Sequence, residues 1–227
     1  MKRKHPVEAW IEEGEHQQLD FKFEVSDSKK IARTLSAFAN TDGGRLLIGV
    51  KDNGVIAGVR SEEEYYMIEA ASRMYTRPEV PFRATRWEVN GRSVLEIYIA
   101  PSPDRPHSAP DKDDRYKAYI RVADENILAN EVLVMAWKKK GRPDGTLLKV
   151  SQPVELLFGW FETHPTVSLG QFCRLAHINY YTARNILSDL LAMDTLHYVV
   201  TDKRIVYRPH TPEHFQTGQP GQLFPVR

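Results

Sequence analysis

Residues 37–54, AFANTDGGRLLIGVKDNG, contain the strongest structural signals in the chain. Apolar residues recur at helical spacing over residues 28–39, and the run NTDGG at 40–44 predicts the helix end, because glycine readily takes the left-handed conformation found there. The run RLLIGVK at 45–51 predicts a strand buried on both faces. Asp52-Asn53-Gly54 then predicts a tight turn into a second strand over residues 55–59. This segment predicts a helix packed beside a sheet.

The flanking sequences extend this pattern to an α+β domain with a mixed sheet and covering helices. Residues 17–23 alternate between apolar and polar side chains and predict a half-buried strand. Asn90-Gly91 is a strong hairpin signal between two strands, residues 82–89 and 92–100. The other predicted elements are a helix at 6–13, a helix opened by a capping box of Ser61 and Glu64, a strand at 115–122 and a helix capped by Asn130.

Residues 154–208 predict a winged helix-turn-helix domain, because three helical segments precede two short strands. The helices cover residues 154–163, 168–176 and 179–193; Ser168 with Gln171 forms a capping box, and Asn179 is an N-cap. The strands cover residues 195–200 and 204–208. We therefore place a first domain at 1–140, a linker at 141–153, the winged helix at 154–208 and a flexible tail at 209–227.

Composition excludes several classes of protein. The chain has 227 residues, of which 41% are hydrophobic and 27% charged, as expected for a globular protein. Its one cysteine, Cys173, excludes a disulfide framework and a thiolate zinc cluster. No apolar run is long enough for a membrane span, and no secretory signal is recognisable, so we expect a cytoplasmic protein. The net charge is only +1, so an anionic partner must bind at local basic patches.

Three motifs in order, EHQQLDFK at 15–22, AFANTDGG at 37–44 and IGVKDNG at 48–54, resemble those of the Schlafen-type AlbA_2 domain. That family has a glutamate, four residues, an acidic residue with Phe-Lys, then AFAN-x-x-GG and GV-x-D-x-G. The resemblance covers about residues 10–137. It implies a fold that binds nucleic acid, either RNA or DNA, in bacterial proteins of regulatory or defence type and in animal Schlafens.

The resemblance also implies a metal site. In the ribonuclease members of the family three acidic residues bind a divalent ion, and the matching positions are Glu15, Asp20 and Asp52. Mg²⁺ or Mn²⁺ would suit carboxylate ligands, so a metal-dependent endoribonuclease is the alternative function. Strict strand alternation would turn Glu15 to the apolar face unless Gly14 bends the chain. The structural alternative is a helix end at Glu15, a solvated Asp20 and a turn residue at Asp52.

The candidate nucleic-acid contacts are basic residues within 15–54, in the predicted strand at 115–122 and in the 138–142 cluster, with two residues of the predicted recognition helix. They are Lys22, Lys29, Lys30, Arg33, Arg45, Arg121, Lys138, Lys139, Lys140, Tyr181 and Arg184. The recognition helix holds one Arg and one Asp within 179–193, so protein contact through this helix is a second alternative.

The sequence also bears on the oligomeric state and on ATP binding. Animal Schlafens place two AlbA_2 lobes around one groove, and this chain has one lobe, so the resemblance implies a homodimer. The chain has no G-x-x-x-x-G-K-[ST] run, so ATP binding is not expected.

Overall fold

The computed structural model describes residues 4–142, 145–146 and 150–210. The chain divides into two compact units, Met1–Leu147 and Leu148–Arg227, and the division falls inside the stretch predicted as a linker. Of the predicted tail, residues 211–227 lie outside the described residues. None of the helices in the described residues has the length and apolar composition needed to cross a membrane.

The first unit has an α+β fold, as predicted. In chain order its elements are α1 (Pro6–Glu13), β1 (Leu19–Lys22), α2 (Ser28–Asn40), β2 (Gly44–Ile48), α3 (Glu63–Tyr75), β3 (Arg83–Val89), β4 (Arg92–Ile99), β5 (Ser108–Pro110), β6 (Tyr116–Val122), β7 (Glu125–Leu128) and α4 (Glu131–Lys140).

A four-stranded mixed sheet in the order β1-β2-β4-β3 forms the centre of the first unit. β1 runs parallel to β2, whereas β4 is antiparallel to both of its neighbours. Asn90 and Gly91 both have positive φ and turn β3 into β4, which confirms the predicted hairpin. A second sheet of three antiparallel strands has the order β5-β6-β7.

Both faces of the main sheet are covered in part, because its central strands are apolar on both sides. On one face α2 packs Leu35 and Phe38 against β2 and β4. On the other face Val7 of α1 packs with Phe21 and Val94. The two side-chain sets alternate along each strand, so α1 and α2 lie on opposite sides of the sheet.

The turn at 40–44 forms as the sequence predicts. Gly43 has φ +70°, and its N–H donates to Phe38 O at 2.9 Å. A Cβ at Gly43 would lie 2.6 Å from Ile99 O, so only glycine lets the chain pass β4 this closely.

Three local predictions for the first unit are wrong. The strand at 17–23 is shorter, as β1, and buried rather than half-buried, because the second sheet and α1 cover it. Residues 55–59 make one bridge, Val50 with Ile56, and no strand, since the backbone packs against Gly49 instead of pairing along its length. The Ser61 capping box does not form: α3 begins at Glu63 and its N-cap, Glu62, makes no side-chain cap bond.

The second unit contains three helices followed by a hairpin. Its elements are α5 (Gln152–Phe161), α6 (Leu169–Leu175), α7 (Tyr180–Ala192), β8 (Leu196–Thr201) and β9 (Arg204–Pro209). The capping box of Ser168 and Gln171 and the Asn179 cap are both formed. Val167, which precedes α6, forms a bridge with Tyr207 of the hairpin.

Candidate functional site

A cavity of about 570 Å³ opens beside the first turns of α2, between the end of β1 and strands β6 and β7. Three cationic side chains line it, Lys22, Lys30 and Arg33, together with two acidic ones, Glu24 and Asp27. The alternation of β1 places Lys22 on the α2 side of the sheet, and the helical spacing of α2 brings Lys30 and Arg33 to one face. The cavity therefore carries more positive than negative side chains.

The acidic residues do not fully neutralise this cavity. Asp27 is the N-cap of α2, and its Oδ1 accepts from Lys29 N at 2.8 Å and Lys30 N at 3.2 Å. Its charge is therefore directed towards the helix backbone. Lys30 is exposed, and no acidic partner of its Nζ is found in the described residues. Arg33 donates through Nε to Pro110 O at 2.7 Å, a neutral partner, so its charge is not neutralised by that bond.

A pair of carboxylates lies behind Lys22. Gly14 has φ +72° and residues 16–19 form a tight turn, so Glu15 folds back along β1 and its Oε1 accepts from Phe21 N at 2.8 Å. Burial, and then the neighbouring Asp20 carboxylate, raise the pKa of Glu15 above its ordinary value of 4.5. The bend that the sequence required at Gly14 is therefore present, and it brings Glu15 to Asp20.

Asp20 is buried, with 3% of its surface exposed, and two cations hold it. Its Oδ1 lies 3.3 Å from Arg121 Nη2 and its Oδ2 lies 3.0 Å from Lys22 Nζ. Arg121 also donates to Leu19 O at 3.3 Å and to Asn126 Oδ1 at 3.2 Å. Only 2% of Arg121 is exposed, so the prediction that it contacts nucleic acid is wrong in this structure: the guanidinium is enclosed and binds Asp20 instead.

The predicted metal ligands are only partly brought together. Glu15 contacts Asp20, but Asp52 is exposed in the turn after Lys51, and no bond joins it to either of them in the described residues. Within residues 4–142, 145–146 and 150–210, no three His, Cys, Asp or Glu side chains converge in a way that could hold a metal ion. Both Asp20 oxygens already bind cationic nitrogens. The residues present therefore do not fit the ion that the resemblance implies.

Two more of the predicted nucleic-acid contacts are paired with acids. Lys29 Nζ lies 2.6 Å from Asp114 Oδ1, and this hydrogen bond raises the pKa of Lys29. Arg45 Nε lies 2.9 Å from Glu96 Oε1. Neither Lys29 nor Arg45 lines the cavity.

The remaining predicted contacts lie elsewhere. Lys138, Lys139 and Lys140 form the last turn of α4, where positive charge also stabilises the helix dipole. In the second unit Tyr181 is 67% exposed, and the Arg184 guanidinium lies 5.3 Å from its ring centroid.

Asn126 lines the cavity, although no sequence signal indicated it as a site residue. It lies on β7, a four-residue strand that was not predicted because Glu125–Leu128 has neither a clean alternation nor a turn signal of its own. Its Nδ2 donates to Thr34 Oγ1 at 2.9 Å while its Oδ1 accepts from Arg121. Asn126 therefore links α2 to the buried Asp20–Arg121 pair.

The raised pKa of Glu15 predicts how stability depends on pH. An acid whose pKa is higher in the folded protein favours folding when protonated, so its contribution is present below 4.5 and is lost as pH rises through the raised pKa. Glu15→Gln keeps an acceptor for Phe21 N without the charge. We expect its free energy of unfolding to fall less than that of the wild type between about pH 4 and about pH 7.

Urea unfolding at a series of pH values measures this difference. Glu88→Gln, which makes the same chemical change at an exposed position on β3, is the matched control and should follow the wild-type pH profile. A Glu15→Gln profile parallel to that of the wild type would contradict the prediction.

The fold and the site together define a class: an α+β domain with a cationic cavity next to a buried cluster of acidic and basic side chains. The family model described as Schlafen, AlbA_2 matches residues 15–130, just over half of the chain. The chain belongs to this family.

Two solved structures are similar to the chain. The DIP2311 protein from Corynebacterium diphtheriae is 21% identical with a TM-score of 0.42; the match covers 65% of this chain and 30% of that protein. The N-terminal domain of a putative ATP-dependent DNA helicase RecG-related protein from Nitrosomonas europaea is 20% identical with a TM-score of 0.34, covering 52% of this chain and 89% of that domain. No curated protein matched the chain.

Proposed function

We propose that the first unit binds nucleic acid, RNA or DNA, and that the cavity beside α2 contacts the phosphate backbone. The observation that carries this proposal is that Lys30 and Arg33 line the cavity without an acidic partner in the described residues, beside Lys22, which is paired with the buried Asp20. Membership of the Schlafen AlbA_2 family supports a nucleic-acid-related role.

The three cations contribute differently to this proposed contact. Lys30 is exposed and supplies a mobile point charge. Arg33 lines the cavity and is anchored through Nε to Pro110 O, a bond that does not use its terminal nitrogens. Lys22 is held by Asp20 and by Phe21 O, so it is the most rigid of the three and the least strongly positive. Tyr119 also lines the cavity and, at 7% exposed, packs in its wall.

The double variant Lys30→Gln/Arg33→Gln tests this proposal. Each phosphate contact releases counterions, so losing two contacts should weaken binding and flatten the slope of log K against log salt by about 1.4–1.8. Fluorescence anisotropy with a labelled oligonucleotide across a salt series measures both effects.

The control for this experiment is Arg60→Gln/Arg86→Gln, which removes the same charge from two exposed arginines outside the cavity. It should keep a salt slope close to that of the wild type. Equal slopes for the cavity variant and the control would show that the cavity does not contact phosphate.

A metal-dependent endoribonuclease stays an alternative prediction: Glu15 and Asp20 are in contact, but the described residues do not bring three carboxylates together around an ion. The position of Asp52 in an exposed turn counts against it. Cleavage of labelled structured RNA in Mn²⁺ that disappears in Asp52→Ala would support the nuclease, whereas binding without cleavage supports the binding module.

For the second unit we propose a winged helix, in which α7 is the recognition helix and β8–β9 the wing. Its support is the order of elements and the bridge that joins Val167 to the hairpin. Tyr180 and Tyr181 are 45% and 67% exposed at the start of α7, a surface suited to bases or to a protein partner.

The regulatory or defence role and the homodimer also remain proposals. Light scattering at micromolar concentration tests whether the chain is a homodimer.

A further inference from the structure

One part of the main sheet carries arginine and tyrosine side chains on the α1 side, next to the apolar cluster. On the α1 side, the apolar cluster contains Phe21, Leu47 and Val94, and Trp10 of α1 lies next to Arg45 towards the start of β2. There Arg45, Tyr98 and Arg83 lie opposite one another in a single row across the three strands. Arg83 is exposed, and Arg45 and Tyr98 are half-buried.

A buried carboxylate holds this surface in place. Glu96, 7% exposed, accepts from Arg45 Nε at 2.9 Å through one oxygen and from Trp87 Nε1 at 2.8 Å through the other. The Arg45 guanidinium lies 4.8 Å from the Trp10 ring centroid and 5.3 Å from that of Tyr98. Arg45 is therefore fixed between two aromatic rings, and the surface is preorganised.

The charges of this surface suit an anionic ligand. Arg45 is balanced by Glu96, but Arg83 stands on the other side of Tyr98 and no acidic partner for it is found within the described part of the chain. Tyr98 thus has an arginine across each neighbouring strand. An aromatic ring on an open sheet face, flanked by guanidinium groups, can stack an unpaired base while the cations contact the adjoining phosphates.

We propose that this arginine–aromatic platform, formed by Trp10, Arg45, Arg83 and Tyr98, stacks the bases of single-stranded nucleic acid. The inference rests on the proposed function. It adds that the substrate is single-stranded, because the faces of the bases are enclosed in a duplex and could not stack on the platform. The cavity lies on the α2 side of the sheet and the platform on the α1 side, so phosphate contact and base stacking are assigned to different surfaces of the same unit.

Two pairs of variants test the platform. Tyr98→Ala removes the ring, and Tyr98→Phe keeps it. Arg83→Gln and Arg86→Gln remove the same charge from neighbouring exposed positions on β3, but Arg86 points to the opposite face and pairs with Glu62. The probes are a labelled thymidine oligonucleotide and the duplex that it forms with its adenosine complement.

We expect Tyr98→Ala to weaken single-strand binding by on the order of tenfold, the usual effect of losing one stacked base. Arg83→Gln should weaken it several-fold, whereas Tyr98→Phe and Arg86→Gln should bind as the wild type does. Duplex binding should be the same in all four variants. Arg83→Gln decides the question if Tyr98→Ala does not fold, because Arg83 is exposed and its loss leaves the core intact.

Different results separate the platform from the proposed function. If the wild type binds neither probe at low salt, both ideas fail. If the cavity variant Lys30→Gln/Arg33→Gln loses binding while Arg83→Gln and Tyr98→Ala retain single-strand affinity, the proposed function stands and the platform is wrong. Displacement of the single strand by polyglutamate at equal charge concentration would assign the surface to acidic peptides and overturn the proposal.

Discussion

Asn40→Ala is expected to destabilise the first unit by about 3–5 kcal/mol, a large part of the stability of an ordinary domain. Asn40 is fully buried; its Nδ2 donates to His107 O at 2.8 Å and to Tyr119 O at 2.9 Å and lies 3.3 Å from Ser36 Oγ. Its Oδ1 accepts from His107 N at 2.8 Å. Alanine would leave several of these buried groups without a partner, each at a cost of about 1–3 kcal/mol.

Thermal or urea unfolding of the full chain measures the loss. Asn53→Ala is the matched control, because Asn53 is exposed in a turn and its side chain accepts a single hydrogen bond within the described residues, from Val55 N. We expect the control to cost less than about 1 kcal/mol. An Asn40→Ala cost as small as that of the control would mean that water replaces the amide.

The same network depends on a neutral His107. Its ring bonds Pro78 O through Nδ1 at 2.9 Å and Ser102 Oγ through Nε2 at 2.7 Å. A carbonyl oxygen only accepts, so Nδ1 donates and Nε2 accepts from the Ser102 hydroxyl. Burial lowers the pKa of His107 and keeps the ring in this form. Asn40 and His107 therefore join α2, the second sheet and the loop at residue 78.

Arg121→Met is expected to destabilise the first unit by about 3–5 kcal/mol, because it leaves the Asp20 carboxylate buried with Lys22 as its remaining cation. Removing both charges in Arg121→Met/Asp20→Asn should recover much of this loss, since the main penalty comes from an unpaired buried charge. A double-mutant cycle by urea unfolding measures the coupling between the two side chains.

Arg115→Met is the control, because the Arg115 side chain is 67% exposed and pairs with Asp111 and Asp113 at the surface. Such a pair contributes about 0–1 kcal/mol. Arg121→Met should also leave the salt slope of nucleic-acid binding unchanged once it is compared at equal folded fraction. A flatter slope would mean that Arg121 reaches phosphate and that the buried position does not describe the bound state.

Local sequence signals predicted most of the elements of the fold. The helix before Asn40, the glycine turn that follows it and the hairpin at Asn90-Gly91 are all encoded within a few residues. The contact between Glu15 and Asp20 could also be predicted, because the odd spacing of the two residues requires a bend and Gly14 can provide it. The wrong predictions of secondary structure concern segments in which packing competed with a local signal, as in residues 55–59.

The sequence by itself therefore determined the element order, the turns and the family motifs, because periodicity, capping and glycine conformations act over a few neighbouring residues. Only the tertiary structure decided which charges are accessible. Arg121 is buried on Asp20, 101 positions away, while Arg83 is exposed on β3 opposite Tyr98 of β4. The motif residues gave no sign of this difference, since exposure depends on the strands and helices that pack over each side chain.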